Sequence, residues 1–112
     1  MIEQIGTDIV EIKRIKLNDK FLTKVLSTEE LKRFNNMSDK KRKREFVAGR
    51  WACKEAIIKA TDKRVIMNKI NIGYNKNGAP IITSKGFENI LVSISHEKKY
   101  ATAIAINQIQ DK

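Results

Sequence analysis

Residues 46–61, FVAGRWACKEAIIKAT, constrain the fold more than any other stretch of the chain. At one hundred degrees per residue they make one helix of about four turns. Ala48, Trp51, Ala52 and Ile58 then fall on the same side as Glu55 and Lys59. An acid and a base one turn apart therefore sit within a stripe of apolar and small residues. An ordinary i,i+4 Glu–Lys pair on a solvated face contributes about 0.3–0.5 kcal/mol. A solvated face does not carry Ala, Ala, Trp and Ile around the pair. Burying a carboxylate there is costly unless a cation or a ligand meets it. Ala48, Gly49, Ala52 and Ala56 also let another group approach the helix closely.

The 112 residues suffice for one domain, 1–112, with a single modest core. No apolar run approaches the roughly 18 residues of a membrane span. The opening MIEQIGTDIV carries Glu3 and Asp8 and no basic leader, so it does not read as a signal peptide. Cys53 is the one cysteine, which excludes an intramolecular disulfide and a cysteine-based zinc site. A reducing, cytoplasmic home fits. Cys53 falls near the face opposite Glu55 and reads as a small core residue, not a nucleophile. The net charge of +10 is uneven, because residues 13–44 hold twelve Lys or Arg against four acids, a net +8. That stretch seeks a polyanion: nucleic acid, nucleotide phosphates, a membrane surface or an acidic protein.

In chain order, residues 2–9 read as a strand with Ile5 and Ile9 as apolar anchors and Gly6 where something packs close. Asp8 near its end is either a helix cap, with Glu11 completing a capping box, or a ligand. Residues 11–16 look like a helical turn, and 21–26 like a short amphipathic piece. Ser27 with Glu30 is a capping box that opens a helix to about Asn35. Asn36 and Met37 break it, Ser38 caps again, and DKKRKREF runs into the organising helix. The cations of residues 40–44 oppose the dipole at a helix start, so some anion belongs near them. Residues 70–74 and 81–83 flank a hairpin built on Asn77-Gly78, with Pro80 marking an edge or ligand-facing position. Residues 84–90 form a short helical or loop segment. Residues 91–95 and 100–106 are the clearest strands, joined by a second hairpin at 96–99. The order predicts an α+β domain whose antiparallel sheet packs on one long helix. His96, the one histidine, reads either as a structural side chain or, because it stands at a strand end where a sheet-held loop can carry a site, as a functional one.

Three pieces then match one family. IGTDIVEIKRI, EFVAGRWACKEAIIKA and VSISHEKKYATAIA resemble, in order and spacing, the holo-acyl-carrier-protein synthases, the small bacterial phosphopantetheinyl transferases. The family pattern is G-x-D-x-x-E near the start, F-x-A-G-R-[FW]-[AS]-x-K-E-A-x-x-K-A in the middle and V-S-[IL]-[ST]-H near the end. The likeness covers the whole chain. It implies the 4'-phosphopantetheinyl transferase fold, a homotrimer with sites between subunits, and transfer of phosphopantetheine from coenzyme A to a serine of acyl carrier protein for fatty acid biosynthesis. It also implies that Asp8 and Glu55 bind Mg²⁺, with Lys59 stabilising the same phosphate charge. Arg42, Arg50 and His96 match positions near the coenzyme's phosphates. Arg14, with Lys13 and Lys24, matches the basic face that receives the carrier. The serine is activated by a metal-bound water or by a nearby carboxylate.

One departure stands out. The family follows K-A with a glycine-containing loop near the coenzyme, whereas here Thr61-Asp-Lys-Arg-Val-Ile-Met is shorter and lacks glycine. Lys63 and Arg64 supply phosphate contacts in its place, or the coenzyme is held more weakly or in a different pose. A basic nucleic-acid module is the competing class, but it leaves Asp8 and Glu55 unexplained and lacks interleaved exposed aromatics. A member of the family that binds without catalysing is the other, against which Asp8, Glu55 and Lys59 speak. The strands LVSIS and YATAIAI carry apolar or small residues on both faces. One face of a small antiparallel sheet normally turns polar, so the second face points to a partner copy, with Ala101, Ala103 and Ala105 allowing close approach.

Overall fold

The structure, a computed structural model, describes residues 1–108. Strand β1 (Ile2–Glu11) leads through a 3-10 turn (Ile12–Arg14) into helices α1 (Asp19–Val25), α2 (Thr28–Asn35) and α3 (Lys40–Ala60). A second 3-10 turn (Met67–Lys69) precedes β2 (Ile72–Tyr74), β3 (Pro80–Ile82), β4 (Ile90–His96) and β5 (Tyr100–Gln108). The α+β expectation holds, with one correction to the sheet. The four later strands do not join one sheet. β1, β5 and β4 form an antiparallel sheet with β5 in the middle, while β2 and β3 pair alone as a ribbon. β3, whose first residue Pro80 has no N–H to offer, lies beside β4 without a ladder, and on the far edge of the ribbon the Ile72 N–H donates to Glu30 Oε2 at 3.0 Å.

Local chemistry sets the helix ends. Asn18 accepts from the Phe21 N–H to open α1, and Ser27 and Glu30 form the expected reciprocal capping box. Two cap readings need correction. Asp39, not Ser38, caps α3 by accepting from the Lys41 N–H. Asp8 caps nothing, because β1 continues to Glu11 and the 3-10 turn has no side-chain cap. The β2–β3 turn is built as the sequence suggests. Asn75 Oδ1 accepts from the Asn77 and Ala79 N–H groups, and Gly78 takes the left-handed φ of +87°.

Helix α3 is wrapped on most sides. Ala101, Ala103 and Ala105 of β5 are buried beneath it, beside Ala52, Ala56 and Ala60 of the helix. A Cβ placed on Gly6 would lie 2.0 Å from the Ala56 carbonyl oxygen, so glycine is what lets β1 reach the helix this closely. This overturns two readings. The small residues of β5 serve the helix and not a neighbouring copy. Ile5 and Ile9 do not anchor β1 in the core, because alternation turns them outward at 53 % and 62 % exposure. Cys53 is fully buried, and burial pushes its thiol up to about 12, as befits an inert core residue.

Among the described residues, none covers the opposite face of the sheet. In register, Ile5 stands opposite Ile106, which stands opposite Leu91, and Thr7, Ile104 and Ser93 form the next row. Leu91 and Ile104 are exposed there, so the second apolar face inferred from the strands is present. Residues 84–90 do not cover it. Their Phe87 packs against the core cluster at the end of α3.

Candidate active site

Asp8, Glu55 and Lys59 meet where β1 crosses the last turns of α3. Asp8 follows Gly6 and precedes Val10 on the helix-facing side of β1, and the close contact at Gly6 brings it to the helix. Lys59 Nζ donates to the Thr7 carbonyl at 2.9 Å and to Asp8 Oδ1 at 3.4 Å. Glu55 is half-buried. Burial first, and then the charge of Asp8, raises its carboxyl above the usual range, while Lys59 and Lys24 pull it down. Two carboxylates thus share a half-buried site with one ammonium that is itself about half exposed. Such a pair is under-compensated and suited to a further cation. The stripe read from the sequence is real over Ala48 and Ala52, which are buried, and over Trp51, which packs on Phe21 with ring centroids 5.5 Å apart. Ile58 departs from it and is exposed.

Arg42, Arg50 and His96 come together in a second pocket of about 310 Å³, between the start of α3, the end of β4 and Tyr74. They do not meet the carboxylates. From Arg42 to Glu55 the helix advances about 20 Å, and from Arg50 to Glu55 it turns about 140°. Arg50 is 3 % exposed, far more buried than a simple phosphate ligand would be. Its guanidinium lies over the rings of Phe46, 4.5 Å from the centroid, and Tyr74, at 5.2 Å, and Nη2 donates to the Tyr74 hydroxyl at 2.9 Å. Its Nε is 3.3 Å from Glu30 Oε2, a charge contact without the alignment of a hydrogen bond.

The sequence reading missed what holds Arg50. Lys54 is fully buried, and its Nζ donates to Glu30 Oε1 and to the carbonyls of Val25, at 2.8 Å, and Met67, at 2.9 Å. Burial lowers the Lys54 ammonium below the usual lysine range, and the charge and hydrogen bond of Glu30 oppose that shift. One signal was available. Val47, Arg50, Lys54 and Ile57 recur at helical spacing, which puts two cations on a core stripe.

The loop cations go elsewhere. Lys63 Nζ donates to the Gly86 carbonyl and sits 5.5 Å over the Phe87 ring, so within one chain it stays apart from Arg42 and His96. Arg64 is exposed beside it. Lys13 and Arg14 stand exposed on the first 3-10 turn, and Lys24 is exposed on α1 near Glu55. No helix among the described residues is long and apolar enough to cross a membrane.

The likeness to known proteins extends over this whole arrangement. The holo-acyl-carrier-protein synthase of Mycoplasma capricolum is 57 % identical over 112 residues, all of both chains. That of a Geobacillus species is 45 % identical over 95 % of this chain and 96 % of its own. Among solved structures, a holo-acyl-carrier-protein synthase from Bacillus anthracis, in complex with coenzyme A (3',5'-ADP), superposes with a TM-score of 0.86 at 36 % identity, over 96 % of each chain. The Helicobacter pylori synthase in complex with coenzyme A gives 0.74 at 29 % identity, over 93 % of this chain and 99 % of that one. The model of the 4'-phosphopantetheinyl transferase superfamily matches residues 4–105, which include Asp8, Glu55, Lys59 and the Arg42–Arg50–His96 pocket. With its fold, its carboxylate pair and its basic pocket all inside that match, the chain belongs to the 4'-phosphopantetheinyl transferase superfamily, among its holo-acyl-carrier-protein synthases.

Proposed function

We infer that this chain moves the 4'-phosphopantetheine group of coenzyme A to a serine of apo-acyl carrier protein, giving holo-carrier and adenosine 3',5'-bisphosphate. The observation that carries this reading is the half-buried Asp8–Glu55 pair with Lys59 beside it. In the reaction the serine hydroxyl releases its proton to solvent, its oxygen bonds to the phosphorus of the pantetheine phosphate, and the bond from that phosphorus to the bridging oxygen breaks, the oxygen leaving with the bisphosphate. Charge builds on the phosphoryl and leaving oxygens. Lys59, held between Asp8 and the Thr7 carbonyl, is placed to meet it. Asp8 and Glu55 are the residues that would hold Mg²⁺. The donor set fits, since this ion uses one or two carboxylates and completes its shell with water and substrate phosphate. When bound, the ion would draw charge from the phosphoryl group and neutralise the leaving bisphosphate. Incubating the protein with apo-carrier, coenzyme A and Mg²⁺ and weighing the intact carrier tests the reading. A carrier mass that stays at the apo value would overturn it.

The assembly is a homotrimer with its sites between chains. In one chain the basic pocket and the carboxylates lie on different sides of α3, so a coenzyme reaching both needs a second copy to supply one of them. An open depression of about 570 Å³ runs from Asp8 and Lys59 past Ser93 to Ile104 on the uncovered sheet face, which continues the site onto that face. Ile104→Glu puts a charge at the middle strand of the face. It is expected to reduce the mass seen by light scattering to that of one chain and to remove activity with it. A monomer of full activity would exclude the shared site.

Arg14, Lys13 and Lys24, the last of them near Glu55, form the carrier-facing side, and Lys63 and Arg64 complete the coenzyme side of a neighbouring site. Arg14→Glu is expected to raise the KM for carrier about tenfold or more while sparing that for coenzyme A, since reversal adds repulsion to lost attraction. An effect confined to the coenzyme KM would contradict it.

A further inference from the structure

The five cations of residues 40–44 are not all used by the basic pocket. The helical turn divides them. Arg42 faces the pocket with His96, whereas Lys40, Lys41 and Arg44 turn away from it into a cleft of about 370 Å³ that shares only Glu45 with the pocket. Lys13 from the first 3-10 turn, and Lys98 and Lys99 from the β4–β5 turn, close around the same cleft. Six cations from three separate elements thus converge on one concavity, against two carboxylates, Glu11 and Glu45. Glu11 is already engaged by Lys13 at 3.7 Å. Among the described residues, none of Lys40, Lys41, Lys98 and Lys99 has an ion-pair partner. Ile12 and Tyr100 supply apolar surface between them. Like charges gathered this way destabilise the free chain and attract an acidic partner.

We propose that this cleft is a second docking point for the acyl carrier protein, taking a carboxylate-rich face of it with an apolar side chain seated against Ile12 and Tyr100. The proposal rests on the transferase reading in one respect: the carrier is the macromolecule that must approach α3 at Glu55. Arg44 lies about 17 Å before Glu55 along the helix and about 20° from it around the axis, so cleft and carboxylates open toward the same side. A small folded domain is about 30 Å across. A carrier whose serine reaches Asp8 and Glu55 therefore extends as far as the cleft. Lys13 lines the cleft and is the chain neighbour of Arg14 on the first 3-10 turn, so the cleft begins one residue from Arg14. A nucleic acid fits less well, because the cleft presents one tyrosine and no row of aromatic faces for stacking.

The test is the full chain with Lys98→Glu and Lys99→Glu together. Both side chains are exposed, and the local pairing of Ile12 with Lys99 uses only the backbone. With coenzyme A and Mg²⁺ saturating and apo-carrier varied, the KM for carrier should rise about tenfold at low ionic strength, and its dependence on salt should become shallower than in the parent. The KM for coenzyme A should stay as it was. An unchanged carrier KM overturns the proposal. So does an equal rise in the coenzyme KM, which would assign the cleft to the coenzyme. An oligonucleotide retained by the parent and released by the variant, with carrier KM unchanged, would assign it to nucleic acid. If the parent transfers nothing, the transferase reading fails by itself, and calorimetric titration of apo-carrier into parent and variant still decides the cleft.

Discussion

Asp8→Asn and Glu55→Gln are each expected to slow transfer about 10²–10³-fold at saturating coenzyme A and carrier, the scale seen when one preorganised electrostatic group is removed from a site. Each exchange replaces a charged oxygen by an amide of nearly the same size, so packing survives. Each also removes half of a like-charged pair. Because burial raises the Glu55 carboxyl and the charge of Asp8 raises it further, neutralising either side relieves an unfavourable charge, and the melting temperature should hold or rise slightly. Lost activity with retained stability separates a working carboxylate from a structural one. Titration of Mg²⁺ into the protein by calorimetry gives a readout independent of turnover, with weaker binding expected in both variants. Turnover and Mg²⁺ affinity both equal to the parent's would sink the assignment of these two residues.

Glu30→Ala should be the most damaging single change to stability. Glu30 is 2 % exposed, and its carboxylate meets Lys54 Nζ, the guanidinium of Arg50 and the N–H groups of Ser27 and Ile72. Its loss leaves two buried cations facing each other and two backbone donors unpaired. Breaking a buried pair from one side costs about 3–5 kcal/mol. In a domain of this size that lowers the melting temperature by about 15 °C or more. Lys54→Met should cost less, because Glu30 would keep Arg50 and both N–H donors while the new side chain fills the same space. Thermal melts followed by circular dichroism check the order. A Glu30→Ala protein that melts within a few degrees of the parent, or less damage than from Lys54→Met, would show that the network does not hold α2 and β2 against α3. Transfer assays on whatever Glu30→Ala protein remains folded should show a raised KM for coenzyme A, since Arg50 would lose its anchor.

What the sequence determined by itself is the local part of this protein. The α3 pattern, the Ser27–Glu30 box, the Asn77-Gly78 turn and the outer strands each depend on neighbours a few residues away, and periodicity and capping chemistry act at that range. The misfit of Glu55 and Lys59 in a stripe of small residues was legible for the same reason. Tertiary structure decided what depends on contacts between distant segments. A capping motif occupies Glu30 locally, and nothing nearby tells that its second oxygen would take the Ile72 N–H and tie β2 to α2. Alternation along β5 shows two faces but not which one meets α3. Gly6 decides that, by admitting the helix to one side of the sheet and leaving Ile5, Ile9 and Ile104 on the other. The separation of Arg42, Arg50 and His96 from Asp8 and Glu55 is likewise set by the turn of a rigid helix acting over about 20 Å, a distance at which residue spacing fixes the angle and only packing fixes what each side faces.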